Sequence, residues 1–139
     1  MPRPYRLLDH TADIRVEITG RDLPELFGNA ALCVFDVMLD RSRIHPDRST
    51  EVIIEAADTA ELLMEWLREL LFLFSARGLA VAAVEFTLLE PPRLRAVLSG
   101  EPFRVERHGL RVELKMPTYH GYSLKETPAG WRATVIFDA

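Results

Sequence analysis

The chain has 139 residues, 48% of them hydrophobic and 27% charged, with a formal net charge of -4 and a single cysteine. That length suits one domain, residues 1–139, with enough core to fold unaided, and a lone Cys33 excludes an internal disulfide. A negative balance argues against strong direct binding to nucleic acid, because phosphate recognition needs clustered Lys and Arg, and Glu101, Glu106 and Glu113 dilute Arg104, Arg107 and Arg111.

From the start, the apolar stretch Tyr5 to Leu8 runs into a polar cluster, Asp9-His10-Thr11-Ala12-Asp13. Ile14, Val16 and Ile18 then alternate with Arg15 and Glu17, the period of a strand with one buried face. Asp22 can cap a helix whose apolar face is Leu23, Leu26, Phe27, Ala30, Ala31, Val34 and Met38, and Glu25 stands where a capping box wants it. Cys33 lies within this pattern, where a thiol behaves as a small apolar side chain. Asp40 to Thr50 reads as an exposed connection, and Val52 to Ile54 as a short strand.

A second helix is predicted from Asp58, with Glu61 three residues on, through Leu62, Leu63, Trp66, Leu67, Leu70, Leu71 and Phe74 to a left-handed stop at Gly78. Strand alternation resumes at Val84, Phe86 and Leu88, at Leu94 to Leu98, at Val112, Leu114 and Met116, at Tyr119 to Leu124, and at Trp131, Ala133, Val135 and Phe137. Pro91-Pro92, Gly100-Glu101-Pro102, His108-Gly109 and Pro128-Ala129-Gly130 read as turns. The expected fold is a single α+β domain, two amphipathic helices packed on a largely antiparallel sheet. Glu65, Arg68 and Glu69 interrupt the most apolar run, and no charged-then-apolar leader opens the chain, so no membrane span is expected and a cytoplasmic location is.

A glycine-rich phosphate loop, a G-x-S-x-G elbow, an H-E-x-x-H helix and paired C-x-x-C are all missing, which gives nucleotide binding, serine hydrolysis and structural zinc no support. Asp13 stands at the entrance of the strand beginning at Ile14, and Asp138 stands one residue before Ala139. If that strand lies beside the last one, the two carboxylates and the main-chain terminus of Ala139 form an all-oxygen site for a hard cation, Ca2+, Mg2+ or Mn2+, rather than Zn2+. Read separately, Asp13 is a turn residue and Asp138 a solvated tail. His10 and His120 fit a zinc ligand or general base, or imidazoles satisfying nearby backbone groups. Lys115 falls on the polar side of its strand, beside the bend expected at Pro117.

Asp9-His10-Thr11-Ala12-Asp13-Ile14 resembles the opening signature of the archeases. The likeness continues through Leu26-Phe27, Ala30-Ala31, Phe35-Asp36-Val37-Met38, Leu62 to Leu67, Gly100-Glu101, Lys115, Thr118-Tyr119-His120 and Gly130-Trp131, and ends at Phe137-Asp138-Ala139. Pro117 and Arg104 depart from the family pattern, which usually has an aliphatic and often an acidic residue there. The resemblance implies a non-catalytic cofactor that promotes guanylylation and multiple turnover of an RtcB-type RNA ligase in tRNA splicing or RNA repair. It implies a metal site, Ca2+ foremost, at Asp13, Asp138 and Ala139, and an activation role for Lys115, with His10 and His120 beside it. Two other readings remain: a chaperone or modulator of RNA-modifying enzymes, and a small metal-dependent hydrolase using His10, Asp13 and His120.

Overall fold

Capping sets where both long helices begin. Asp22 and Asp58 each take extended backbone angles and accept a hydrogen bond at 2.9 Å from the main-chain N–H three residues on, that of Glu25 or Glu61. From these caps run α1 (Leu23–Met38) and α2 (Thr59–Arg77). The second stops at Gly78, which takes the left-handed angles (φ 64, ψ 31) that a side chain disfavours, and its N–H caps the last turn. In the computed structural model, which describes residues 4–8 and 13–139, the apolar faces of the helices meet at Trp66, whose indole N–H donates to the Phe27 carbonyl at 2.9 Å. No helix among the described residues is long and apolar enough to cross a membrane.

Two antiparallel sheets complete the core. The first has the order β1 (Tyr5–Leu8), β2 (Ile14–Gly20), β7 (Gly130–Phe137), β6 (Pro117–Thr127), and the second β3 (Arg48–Glu55), β5 (Arg93–Pro102), β4 (Leu79–Glu90). Val16 and Ile18 of β2 and Ala133, Val135 and Phe137 of β7 are fully buried, and they pack in one cluster with Leu26, Phe27, Ala30 and Val34 of α1 and Leu62, Leu63 and Leu67 of α2. The alternate residues of these strands point outward. The α+β fold, both helices and the neighbouring of β2 and β7 agree with the sequence pattern.

Three expectations fail in whole or in part. Val112, Leu114 and Met116 do not form a strand: after the one-turn helix α3 (Val105–His108), residues 109–116 carry no ladder, and β6 begins only at Pro117. Only Leu114 of the three is buried, while Met116 is 45% exposed, so the alternation had one true core position. Gly100-Glu101-Pro102 is no turn either, but the end of β5. A Cβ at Gly100 would lie 1.9 Å from the Ala80 carbonyl oxygen, so the glycine marks a close approach of β4, a role that turn statistics mistake for punctuation. The charged connection after α1 is also shorter than expected, holding a 3-10 turn at Arg41–Arg43 before β3 begins at Arg48.

Two glycine substitutions separate space from conformation. Gly100→Ala should destabilise the fold by about 2 kcal/mol or more, through overpacking against backbone. At Gly28, inside α1, an added Cβ meets only the Phe86 ring at 3.9 Å. Gly28→Ala should therefore stabilise by up to about 1 kcal/mol through helix propensity. Denaturant unfolding of the two variants measures both.

Candidate functional site

The ladder between β2 and β7 runs from Gly20 opposite Trp131 to Ile14 opposite Phe137. Asp13 and Asp138 are the next residues beyond that last rung, one on each side. Residues opposite one another on an antiparallel pair share a face, about 4.5–5.5 Å apart at Cα. Carried one residue further, the alternation that buries Phe137 would turn both aspartates outward; Asp13 is half-buried and Asp138 exposed. Asp138 is held through its main chain, since its N–H donates to the Met116 carbonyl and its carbonyl accepts from the Lys115 N–H, each at 2.9 Å. The Lys115 side chain is exposed, as are Asp138 and Ala139.

His120 is exposed in the stretch of β6 that loses register between Thr118 and Ser123, where Gly121 takes a positive φ of 64. The structure thus brings Asp13, Asp138, Ala139 and the main chain of Lys115 to one end of the sheet. His10 lies outside the described residues. The donor chemistry fits a hard divalent cation: two carboxylates and the main-chain oxygen of Ala139 are anionic or carbonyl oxygens at an open strand end.

A second cluster went unnoticed in the sequence. Ligand atoms of His45, Asp47 and Glu101 lie within 4.8 Å of one another, a composition that suits a metal. Arg107 occupies that space. Its Nη2 lies 2.7 and 2.8 Å from the two ring nitrogens of His45, and its Nε lies 3.2 Å from the Arg43 carbonyl oxygen and 3.3 Å from Glu101 Oε2. The positive charge of the cluster is a guanidinium, whose Nη2 lies against the His45 ring, where a neutral imidazole offers one acceptor nitrogen, and whose Nε faces Glu101 and the Arg43 carbonyl.

Glu101 is only 7% exposed, and its Oε2 also accepts from the His45 N–H at 2.7 Å and faces His108 Nε2 at 2.9 Å. The histidine, the His45 amide and the guanidinium together hold its carboxyl at about 2, well below the usual carboxylate range. Gly100-Glu101-Pro102 reads as a turn, which hides this residue, and its partners meet only in the folded chain.

Other polar contacts tie elements together. The Tyr5 phenol donates to Asp36 Oδ2, which joins β1 to α1, and burial with that bond pushes the phenol pKa up. Tyr119 donates to Glu61 and Tyr122 to the Ala60 carbonyl, which fixes the irregular part of β6 on the first turn of α2. Cys33 is buried, and its thiol pKa is raised by that burial, as suits a core residue rather than a nucleophile. A cavity of about 620 Å3 at the other end of β2 and β7, beside Gly20, Asn29 and Trp131, is lined by none of the residues proposed from the sequence for metal or partner binding.

The depressed Glu101 carboxyl predicts the pH dependence of stability. Its pKa is lower folded than unfolded, so its contribution is complete above the unfolded value and is lost as pH falls toward about 2. Urea unfolding of the wild type and Glu101→Gln should show a stability gap that is constant above pH 6 and closes between about pH 4.5 and pH 2. A gap unchanged by acid would remove the ionised carboxylate from the network.

Comparison with known proteins bears on the whole chain. The model of the archease protein family (MTH1598/TM1083) matches residues 5–139. Protein archease of Archaeoglobus fulgidus is 39% identical over 136 residues, covering 96% of this chain and 98% of its own. That of Methanosarcina acetivorans is 34% identical over 140 residues, covering 98% and 96%. The solution structure of Methanobacterium thermoautotrophicum protein 1598 superposes with a TM-score of 0.79 at 31% identity, covering 98% of this chain and 99% of that one. A Thermotoga maritima crystal structure, described as an archease and possible chaperone, shares the fold with a TM-score of 0.63 at 21% identity, covering 100% and 98%. The chain belongs to the archease family.

Proposed function

We propose that the protein is a metal-binding, non-catalytic activator of an RtcB-type RNA ligase, promoting guanylylation of the ligase and its multiple turnover in the cytoplasm. The observation that carries this reading is the pairing of β2 with β7, whose last rung, Ile14 with Phe137, leaves Asp13 and Asp138 as the next residue on each strand. Family membership supports it across residues 5–139. Asp13, Asp138 and the main-chain oxygen of Ala139 would hold the ion, Ca2+ foremost, with Mg2+ or Mn2+ as alternatives. When bound, such an ion neutralises phosphate charge of the kind that develops in nucleotidyl transfer.

The chain's own residues have distinct tasks in this reading. Asp13 and Asp138 gather negative charge at an exposed strand end, where a partner's active site can reach it. Lys115 cannot ligate a cation while protonated, since its ammonium only donates. Its exposed head, anchored through its main chain to Asp138, instead offers a charge to a phosphate or carboxylate of the partner. His120, exposed on the same sheet, belongs to that contact surface, and His10 is assigned to it from the sequence alone.

The test is guanylylation of a cognate ligase with GTP and a divalent metal, with and without substoichiometric protein. Stimulation by the wild type, and none by the protein alone, is expected. Consumption of GTP or cleavage of RNA by the pure protein would contradict the reading and favour a hydrolase. Suppression of client aggregation without any effect on guanylylation would favour a chaperone. Asp13→Ala should weaken metal binding by about tenfold or more and abolish activation, while leaving the metal-free fold as stable or more so, because one of two like charges at the strand end is gone. Lys115→Ala should weaken activation with metal affinity nearly unchanged.

A further inference from the structure

The segment 109–116 has no ladder to hold it, yet it ends at the main chain of Asp138. Its fixings can be followed one by one. At the start, His108 is 1% exposed and stacks on Phe103 with ring centres 5.9 Å apart. The His108 Nδ1 accepts from the Arg104 N–H at 3.0 Å, so the proton facing Glu101 sits on Nε2. The His108 carbonyl accepts from the Asp40 N–H at 2.9 Å. In the middle, the Arg111 N–H donates to the Met38 carbonyl at 2.8 Å and its guanidinium to the Asp36 carbonyl at 3.0 Å. Leu114 is 2% exposed, and Lys115 and Met116 then bond Asp138.

The cluster around Glu101 has the composition of a metal site, but Arg107 already supplies its cation and Glu101 Oε2 already faces three partners. A buried pair of polar, charge-bearing groups adds little stability compared with apolar residues of the same size, whereas it fixes one arrangement against others. We infer that the Glu101–His108 pair is a positioning device: it anchors the root of the segment 109–116, and so holds Lys115 and the main chain of Asp138 in register at the strand end. Glu101 and His108 are positioning residues and touch neither the ion nor the partner. Their effect on activation rests on the ligase reading above. Their effect on the segment does not.

The experiment reads the segment directly, by amide hydrogen exchange followed by NMR on the full chain. Glu101→Gln should speed exchange at Lys115 and Asp138 by about tenfold or more beyond the uniform factor by which its lower global stability speeds the interior amides of β2 and β7. His108→Gln, which keeps a donor toward Glu101 but loses the Nδ1 acceptor, should speed the same amides. Glu106→Gln, an exposed carboxylate on the same turn, should change none of them. Glu101→Gln should also lower ligase stimulation while cation affinity stays within about twofold of wild type. Unchanged exchange at Lys115 and Asp138 in both network variants would overturn the inference, as would faster exchange spread evenly over the fold. Faster local exchange in a protein that stimulates no ligase even as wild type would uphold the positioning role and sink the function proposed for the strand end.

Discussion

Pairing of β2 with β7 joins residues 14–20 to residues 130–137, the two ends of the chain, and much of the rest is arranged around that union. Long-range antiparallel pairing is entropically costly to close, so it must be secured by burial. Here Val16, Ile18, Val135 and Phe137 provide that burial against α1 and α2. Because side chains alternate, a slip of one residue would expose this whole row and turn Arg15 and Glu17 into the core. The register is therefore strongly specified. The same constraint brings two aspartates, 125 positions apart in sequence, to the residues just past the last rung at one end of the sheet.

Much of this was legible in the sequence, for identifiable reasons. Asp22 and Asp58 announced their helices because a capping carboxylate is a local device, readable within four residues. The alternation at Ile14 to Ile18 and Trp131 to Phe137 was legible because each strand buries one face only. The same rule misled at Val112, Leu114 and Met116. A two-residue period cannot tell a ladder from an extended segment that inserts one leucine and bonds helix ends and a chain terminus. Gly100 misled for a related reason, since the close approach of Ala80 is a tertiary fact. The Glu101 network was invisible because its members, His45, Glu101, Arg107 and His108, meet only after β3, β5 and α3 have folded together.

The protein thus holds two clusters of carboxylates with opposite characters. Around Glu101, the carboxylate is buried and faces Arg107 and His108 within the fold. Asp13 and Asp138 stand just past the last rung at one end of the sheet, and Lys115 is tied to Asp138 through its main chain and keeps its side chain exposed. The first arrangement stores its electrostatics within the fold; the second leaves it available to an ion and a partner. Residues 109–116 connect them, which lets a buried network govern the geometry of an exposed one.

Where a divalent ion binds decides the role of the strand end. Titration of the isotope-labelled protein with Mn2+, followed by amide NMR, reads this directly, because the paramagnetic ion broadens signals in its neighbourhood. The account predicts that Asp13, Ile14, Phe137, Asp138 and Lys115 broaden first, while Gly20 and Trp131 at the opposite end of the same strands stay sharp. Broadening centred instead on His45, Asp47 and Glu101 would contradict it, and with it the assignment of Arg107 as the resident cation of that cluster.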